Sequence, residues 1–195
     1  LIYSKELTVA FPPQCHFDLE TLDTLNSAKI LSIGAVFGDE HFYVEVDQSH
    51  YENTPFTESK STVEWWEKQG GFQPSEEPKS PYEAITKFHI WLRQCTESLH
   101  SWEIWANSPS FDCEIIKFHM KHYKLAPPWK FYQERDVRTM HNMAEAMNLG
   151  VRKPANPHNA LQDASNQRVY VEAIYETVAK HVQLSRETAY KGNHG

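Results

Sequence analysis

The sequence has no surplus of positive charge: 19 Lys and Arg stand against 26 Asp and Glu, a formal net charge of −7. That argues against a general polyanion-binding surface, because non-specific affinity for nucleic acid comes from basic side chains neutralising phosphates. It leaves nucleic acid open as a substrate, since a site that holds its own divalent cations meets phosphate with metal charge. Cysteine is scarce as well. Cys15, Cys95 and Cys113 are odd in number and widely spaced. They build neither a disulfide framework nor a zinc site, and a reducing cytoplasm is the expected setting. Long apolar runs are missing too: a stretch such as Ile30 to Phe37 is too short to span a bilayer, so no membrane association is expected. The first residues lack the charged-then-apolar layout of a secretion signal. The chain opens on Leu1, as a processed or trimmed chain does. Repeats, low-complexity segments and an interdomain linker are also absent.

What remains is the composition of one globular domain: 195 residues, 40% hydrophobic and 13% aromatic, enough for a substantial core. Residues 1–14 end in Pro12-Pro13 and read as an N-terminal extension or edge segment. Residues 15–185 read as a single domain, and 186–195 as a loose tail. Strands are expected at Cys15–Glu20, at the apolar and largely β-branched Ile30–Phe37, and at His41–Val46 after a Gly38-Asp39 hairpin turn. Ser61 and Glu64 stand at capping-box spacing, which predicts a short helix ending at Gly70-Gly71. Ser80-Pro81-Tyr82-Glu83 is a complete helix start, and the helix it opens runs to about Leu99. Further on come a strand at Trp102–Ala106, a helix from Ser110 to His122, a strand at Trp129–Gln133 and a helix from Asp136 to Met147. A last helix starts near Asn159. The order gives an α/β fold: an antiparallel three-strand meander extended by parallel strands into a mixed five-stranded sheet, flanked by helices.

The chemistry starts at Asp18 and Glu20. On a strand they project from the same face, where two carboxylates repel unless a cation lies between them, and carboxylate oxygens are the ligands Mg²⁺ and Mn²⁺ prefer. A solvated strand end is the plain alternative. Three later residues favour the cation: Asp112 at a helix N-terminus, Asp163 on the buried face of the last helix, and His158 five residues before it. His16 reads as a core histidine and Asp136 and Arg138 as a helix-start network. Arg152 and Lys153 suit either substrate phosphate or solvent.

The ordered set Asp18-x-Glu20, Phe111-Asp112 and His158-x-x-x-x-Asp163 resembles the DEDDh 3′→5′ exonucleases, a family with an RNase H-like fold that includes ribonuclease T and proofreading exonucleases. Ser61-Thr62-Val63-Glu64-Trp65-Trp66 and Arg135-Asp136-Val137-Arg138-Thr139 are similar to the branch that includes exonuclease A of T-even bacteriophages. The resemblance implies a phosphodiester hydrolase acting on single-stranded DNA or RNA 3′ ends and releasing nucleoside 5′-monophosphates. It implies two divalent ions, Mg²⁺ or Mn²⁺, held by Asp18, Glu20, Asp112 and Asp163, with His158 as general base. Leu22, Trp65, Trp66 and Phe111 are the candidate substrate contacts. A monomer or homodimer fits. The alternative is a catalytically inactive nucleic-acid- or partner-binding module on the same fold.

Overall fold

The computed structural model describes residues 11–192 apart from 73, 75, 76 and 156. Its frame is a five-stranded mixed sheet of β1 (Gln14–Thr21), β2 (Ile30–Phe37), β3 (Glu40–Glu45), β4 (Glu103–Ala106) and β5 (Glu134–Asp136), in the spatial order β3-β2-β1-β4-β5. β1, β2 and β3 pair antiparallel, and β4 and β5 add in parallel beside β1. β1 therefore lies at the centre. Two-residue periodicity sorts its side chains: Cys15, Phe17 and Leu19 enter one core, while His16, Asp18 and Glu20 face the other way.

The helices are α1 (Lys60–Lys68), α2 (Pro81–Thr96), α3 (Asp112–His122), α4 (Val137–Ala146) and α5 (Ala160–Gly192). α2 and α3 close the first face, with Phe88 packed 5.8 Å ring to ring from Phe17 and with Ile115, Ile116 and Met120 buried beside it. α4 and α5 cover the second face around Trp105, Val137, Tyr170, Val171 and Ile174. β2 is buried along almost its whole length, as its apolar run predicts. Gly38 makes the β2–β3 hairpin at φ +57°, a conformation glycine adopts without strain.

Four expectations need correction. α1 is capped by Ser59, whose hydroxyl accepts the Thr62 N–H at 3.2 Å, so the start lies two residues before the Ser61 cap read from spacing. The last strand is Glu134–Asp136 rather than Trp129–Gln133. Trp129 is buried and donates through Nε1 to Glu134 Oε1 at 2.9 Å, while Phe131 and Tyr132 stand exposed on a 3-10 turn. The loose tail expected from Arg186 is helical backbone to Gly192, since neither glycine nor proline interrupts the chain after Pro157 until that point. β1 already includes Gln14, and just before it the Pro13 carbonyl accepts the Glu103 N–H at 2.9 Å. Residues 1–10 of the expected extension lie outside the described residues.

Candidate active site

The site forms where the end of β1 meets the first turns of two helices. Asp18, Glu20 and Asp163 each offer a carboxylate oxygen, and these oxygens lie within 4.8 Å of one another. Asp18 and Glu20 share a face because they are two residues apart on β1; Asp163 arrives from the first turn of α5. α5 can come that close because Gly34 stands opposite Asp18 in the β1–β2 register. A Cβ at Gly34 would lie 2.1 Å from both the carbonyl carbon of Ala160 and the nitrogen of Leu161. The helix rests on bare strand.

Asp112 is the first residue of α3 and is 2% exposed. Its carboxylate accepts the backbone N–H of Leu19 and its own, which ties it to β1 beside the other three. Gln167, one turn after Asp163, donates from Nε2 to Asp18 Oδ1 at 2.8 Å. The turn that enters α5 wraps the Asp163 carboxylate, which accepts the Asn159 N–H at 3.0 Å and the His158 N–H. His158 itself is exposed and holds φ +57°, an uncommon conformation for a residue with a Cβ. Its imidazole meets Trp65 edge-on at 4.7 Å.

Four carboxylates gathered out of water cannot all ionise at ordinary cost. Burial, then the charges of Asp112, Glu20 and Asp163, push Asp18 well above the usual carboxylate range, with the Gln167 amide opposing them. Burial and the charges of Asp163 and Asp112 push Glu20 up to about 8. Burial takes Asp112 up to about 7, against its two backbone N–H bonds and the charge of Arg138. Asp163 is raised by burial and relieved by its backbone N–H bonds and by His158. An all-oxygen donor set under mutual repulsion fits a hard divalent cation of the Mg²⁺ or Mn²⁺ type.

The other candidates divide. Trp66 is buried, and its Nε1 donates to the Thr21 carbonyl at 2.9 Å, bracing the end of β1. Trp65 is 36% exposed and stands edge-on against the His158 ring. Leu22 is half-buried, and its backbone joins Lys29 and Ser59, linking the end of β1 to the cap of α1. Phe111 packs against the apolar core. His16 is a core histidine, stacked 5.6 Å from Trp105 and lowered to about 3 by burial and Arg168. Lys153, Asn107, Gln167 and Tyr170 line a cleft together with Asp18 and Asp163. Nothing in the sequence marks Asn107 or Gly34, and Gln167 shows only as a residue on the buried helix face of Asp163. The available signal for Gln167 was its position four residues beyond Asp163 on one helix face.

The family model described as the 3′-5′ exoribonuclease Rv2179c-like domain matches residues 14–175. The exodeoxyribonuclease of Enterobacteria phage T4 is 28% identical over 102 residues, a match spanning 42% of this chain and 44% of that relative's length. The fold is similar to the nuclease domain of 3′hExo, a DEDDh family member solved bound to rAMP, at TM-score 0.55 and 12% identity, over 85% of this chain and 93% of the other. It is also similar to cell-death related nuclease 4, at TM-score 0.57 and 15% identity, over 89% of this chain and 64% of that one. With its ordered carboxylates gathered at one end of β1, the chain belongs to the Rv2179c-like 3′-5′ exoribonuclease domain family.

Proposed function

We propose that this domain removes nucleotides from the 3′ end of single-stranded nucleic acid by divalent-cation-dependent phosphodiester hydrolysis, releasing nucleoside 5′-monophosphates. The observation that carries the reading is the meeting of Asp18, Glu20 and Asp163 oxygens within 4.8 Å. In this reading Asp18, Glu20 and Asp163 would hold one cation, and Asp18 and Asp112 would hold a second. When bound, the cations supply positive charge opposite the scissile phosphate and the two oxygens exchanged on it. The chain's own work is positioning and proton transfer. His158 takes the proton of the attacking water from an exposed, solvent-facing position, which suits an imidazole. Because the Asp163 carboxylate grips the His158 and Asn159 backbone, cation ligand and base are fixed by one turn of chain. Trp65, half-exposed against His158, stacks on the terminal base. Lys153, on the wall of the cleft that holds Asp18, meets a phosphate further along the strand.

RNA is the first substrate to test, because the family model that spans most of the chain is one of exoribonucleases. DNA is the second, carried by the phage exodeoxyribonuclease. The test is digestion of matched RNA and DNA strands labelled at the 3′ terminus, with Mg²⁺ or Mn²⁺, by wild-type protein and Asp18→Ala. Release of labelled mononucleotide by the wild type alone supports the proposal. Equal release by Asp18→Ala, or none by the wild type with either metal, overturns it and favours a binding module on the same fold.

A further inference from the structure

Asp18 is the carboxylate asked to do most: it faces Glu20, Asp163 and Asp112 and would be shared by both cations. A carboxylate on a short side chain turns about its terminal torsion, and three like-charged neighbours favour turning away. What opposes that is Gln167. Its Nε2 reaches Asp18 Oδ1 at 2.8 Å across 149 residues of sequence. This amide orientation is the one the cation-bound state requires: with a cation present Asp18 is ionised and only accepts, and an Oε1 turned toward it would set oxygen against oxygen. Gln167 is 8% exposed, and its Oε1 has no partner among the described residues. A buried acceptor left unpaired carries a cost that a methionine of similar length and volume would avoid. Packing alone therefore gives no reason for glutamine here; the N–H donated to Asp18 does. The contact exists because α5 rests directly on Gly34, opposite Asp18, so that Asp163 and Gln167, four residues apart on one face, both reach β1.

We propose that Gln167 is a positioning residue: by holding Oδ1 of Asp18 it aims the remaining oxygen at the space shared with Glu20 and Asp163, and so sets the affinity of the site for its cation. The inference rests on the nuclease reading only in taking those carboxylates as a cation site. Hydrogen-bonding groups that orient a metal ligand, when removed, cost about 10- to 100-fold in metal affinity or activity.

The decisive variant is Gln167→Met, which keeps length and volume and removes the donor. Mn²⁺ is titrated calorimetrically into wild type and variant without substrate, alongside thermal unfolding of both metal-free proteins. The expected result is a metal-free variant that unfolds within a few degrees of wild type, with a Mn²⁺ Kd raised about 10- to 100-fold. Release of the 3′ label is then depressed at limiting metal and recovers in excess. An unchanged Kd overturns the inference and leaves the nuclease reading intact. Because the titration uses no substrate, a wild-type protein that binds Mn²⁺ but releases no nucleotide overturns the nuclease reading and leaves the Gln167 result standing. A second measurement needs no folded variant: in wild-type protein titrated with Mg²⁺, the Gln167 side-chain amide protons shift with the saturation of the site. Amide signals that stay in place overturn the positioning role.

Discussion

His158 shows how much one residue's backbone can decide. A residue with a Cβ at φ +57° carries strain that its surroundings must hold in place. Here they do so through the Asp163 carboxylate, which accepts the N–H of His158 and the N–H of Asn159, the donors on either side of the His158 Cα. The side chain is not needed for that hold. His158→Ala is therefore expected to keep Mn²⁺ binding while losing about 10²- to 10⁴-fold in turnover, the usual worth of a positioned general base. Single-turnover rates beside calorimetric metal affinity check it, and lost metal binding would contradict the assignment. The adjacent tryptophans divide along similar lines. Trp65→Ala is expected to raise KM by about 5- to 150-fold, the loss of a base-stacking contact of about 1–3 kcal/mol, with the unfolding midpoint nearly unmoved. Trp66→Phe leaves the Thr21 carbonyl without its donor and is expected to destabilise by about 1–3 kcal/mol in denaturant unfolding while KM stays in place.

At the scale of elements, the site depends on the seating of α5 on β2. The backbone of Ala160 and Leu161 occupies the space where a Gly34 side chain would sit, so Gly34→Ala drives the helix outward. Overpacking of this kind costs about 1–3 kcal/mol, and here it also carries Asp163 and Gln167 away from Asp18. The expected outcome is a lowered unfolding midpoint together with a loss of Mn²⁺ affinity larger than that of Gln167→Met; a Gly34→Ala protein that binds Mn²⁺ as wild type does would refute it. Gly34 also marks the limit of what sequence reveals. Asp18, Glu20, Asp112 and Asp163 were legible because strand and helix periodicities place them on known faces and their order resembles a family pattern. Gly34 looks like any small residue in an apolar strand, because its role exists only when a helix from 126 residues later arrives. For Gln167 the spacing from Asp163 gives the helix face, while its partner Asp18 is visible only once the helix is seated on β1. The misplaced β5 has a local cause: Trp129, Phe131 and Tyr132 have strand propensity, yet the chain spends them on a buried anchor and an exposed turn. The strand itself is polar Glu134-Arg135-Asp136, supported by Arg135 on Glu103 at 2.8 Å and Lys117 on Glu134 at 3.0 Å. Propensity is overridden where side-chain pairing at a sheet edge supplies the stability.

For the whole molecule, the carboxylate cluster stores a conflict between folding and function. In the metal-free protein, Glu20 is raised to about 8 and Asp112 to about 7, whereas in the unfolded chain both ionise near the ordinary carboxylate value of about 4. Between those limits the folded state holds more protons than the unfolded one, so stability is full below about pH 4 as far as these groups are concerned and declines as pH rises toward 8. A divalent cation reverses the sign by favouring the ionised carboxylates. With chelator present, the unfolding midpoint is therefore expected to fall between pH 5.5 and pH 8. Saturating Mn²⁺ should raise it at both, with the larger rise at pH 8. At a hundredfold excess over Kd the added stability is about 2.7 kcal/mol, or roughly 5–10 °C for a chain of this length. Glu20→Gln separates this cause from every other titration in the protein. It removes a raised carboxyl and keeps its shape, so the metal-free variant should be more stable than wild type at pH 8, have a shallower pH dependence and gain little from Mn²⁺. A variant with the wild-type slope and the wild-type metal response would show that Glu20 takes no part in the conflict. The expected pattern, a gain in stability bought with the loss of the cation, marks carboxylates kept together for chemistry against the preference of the fold.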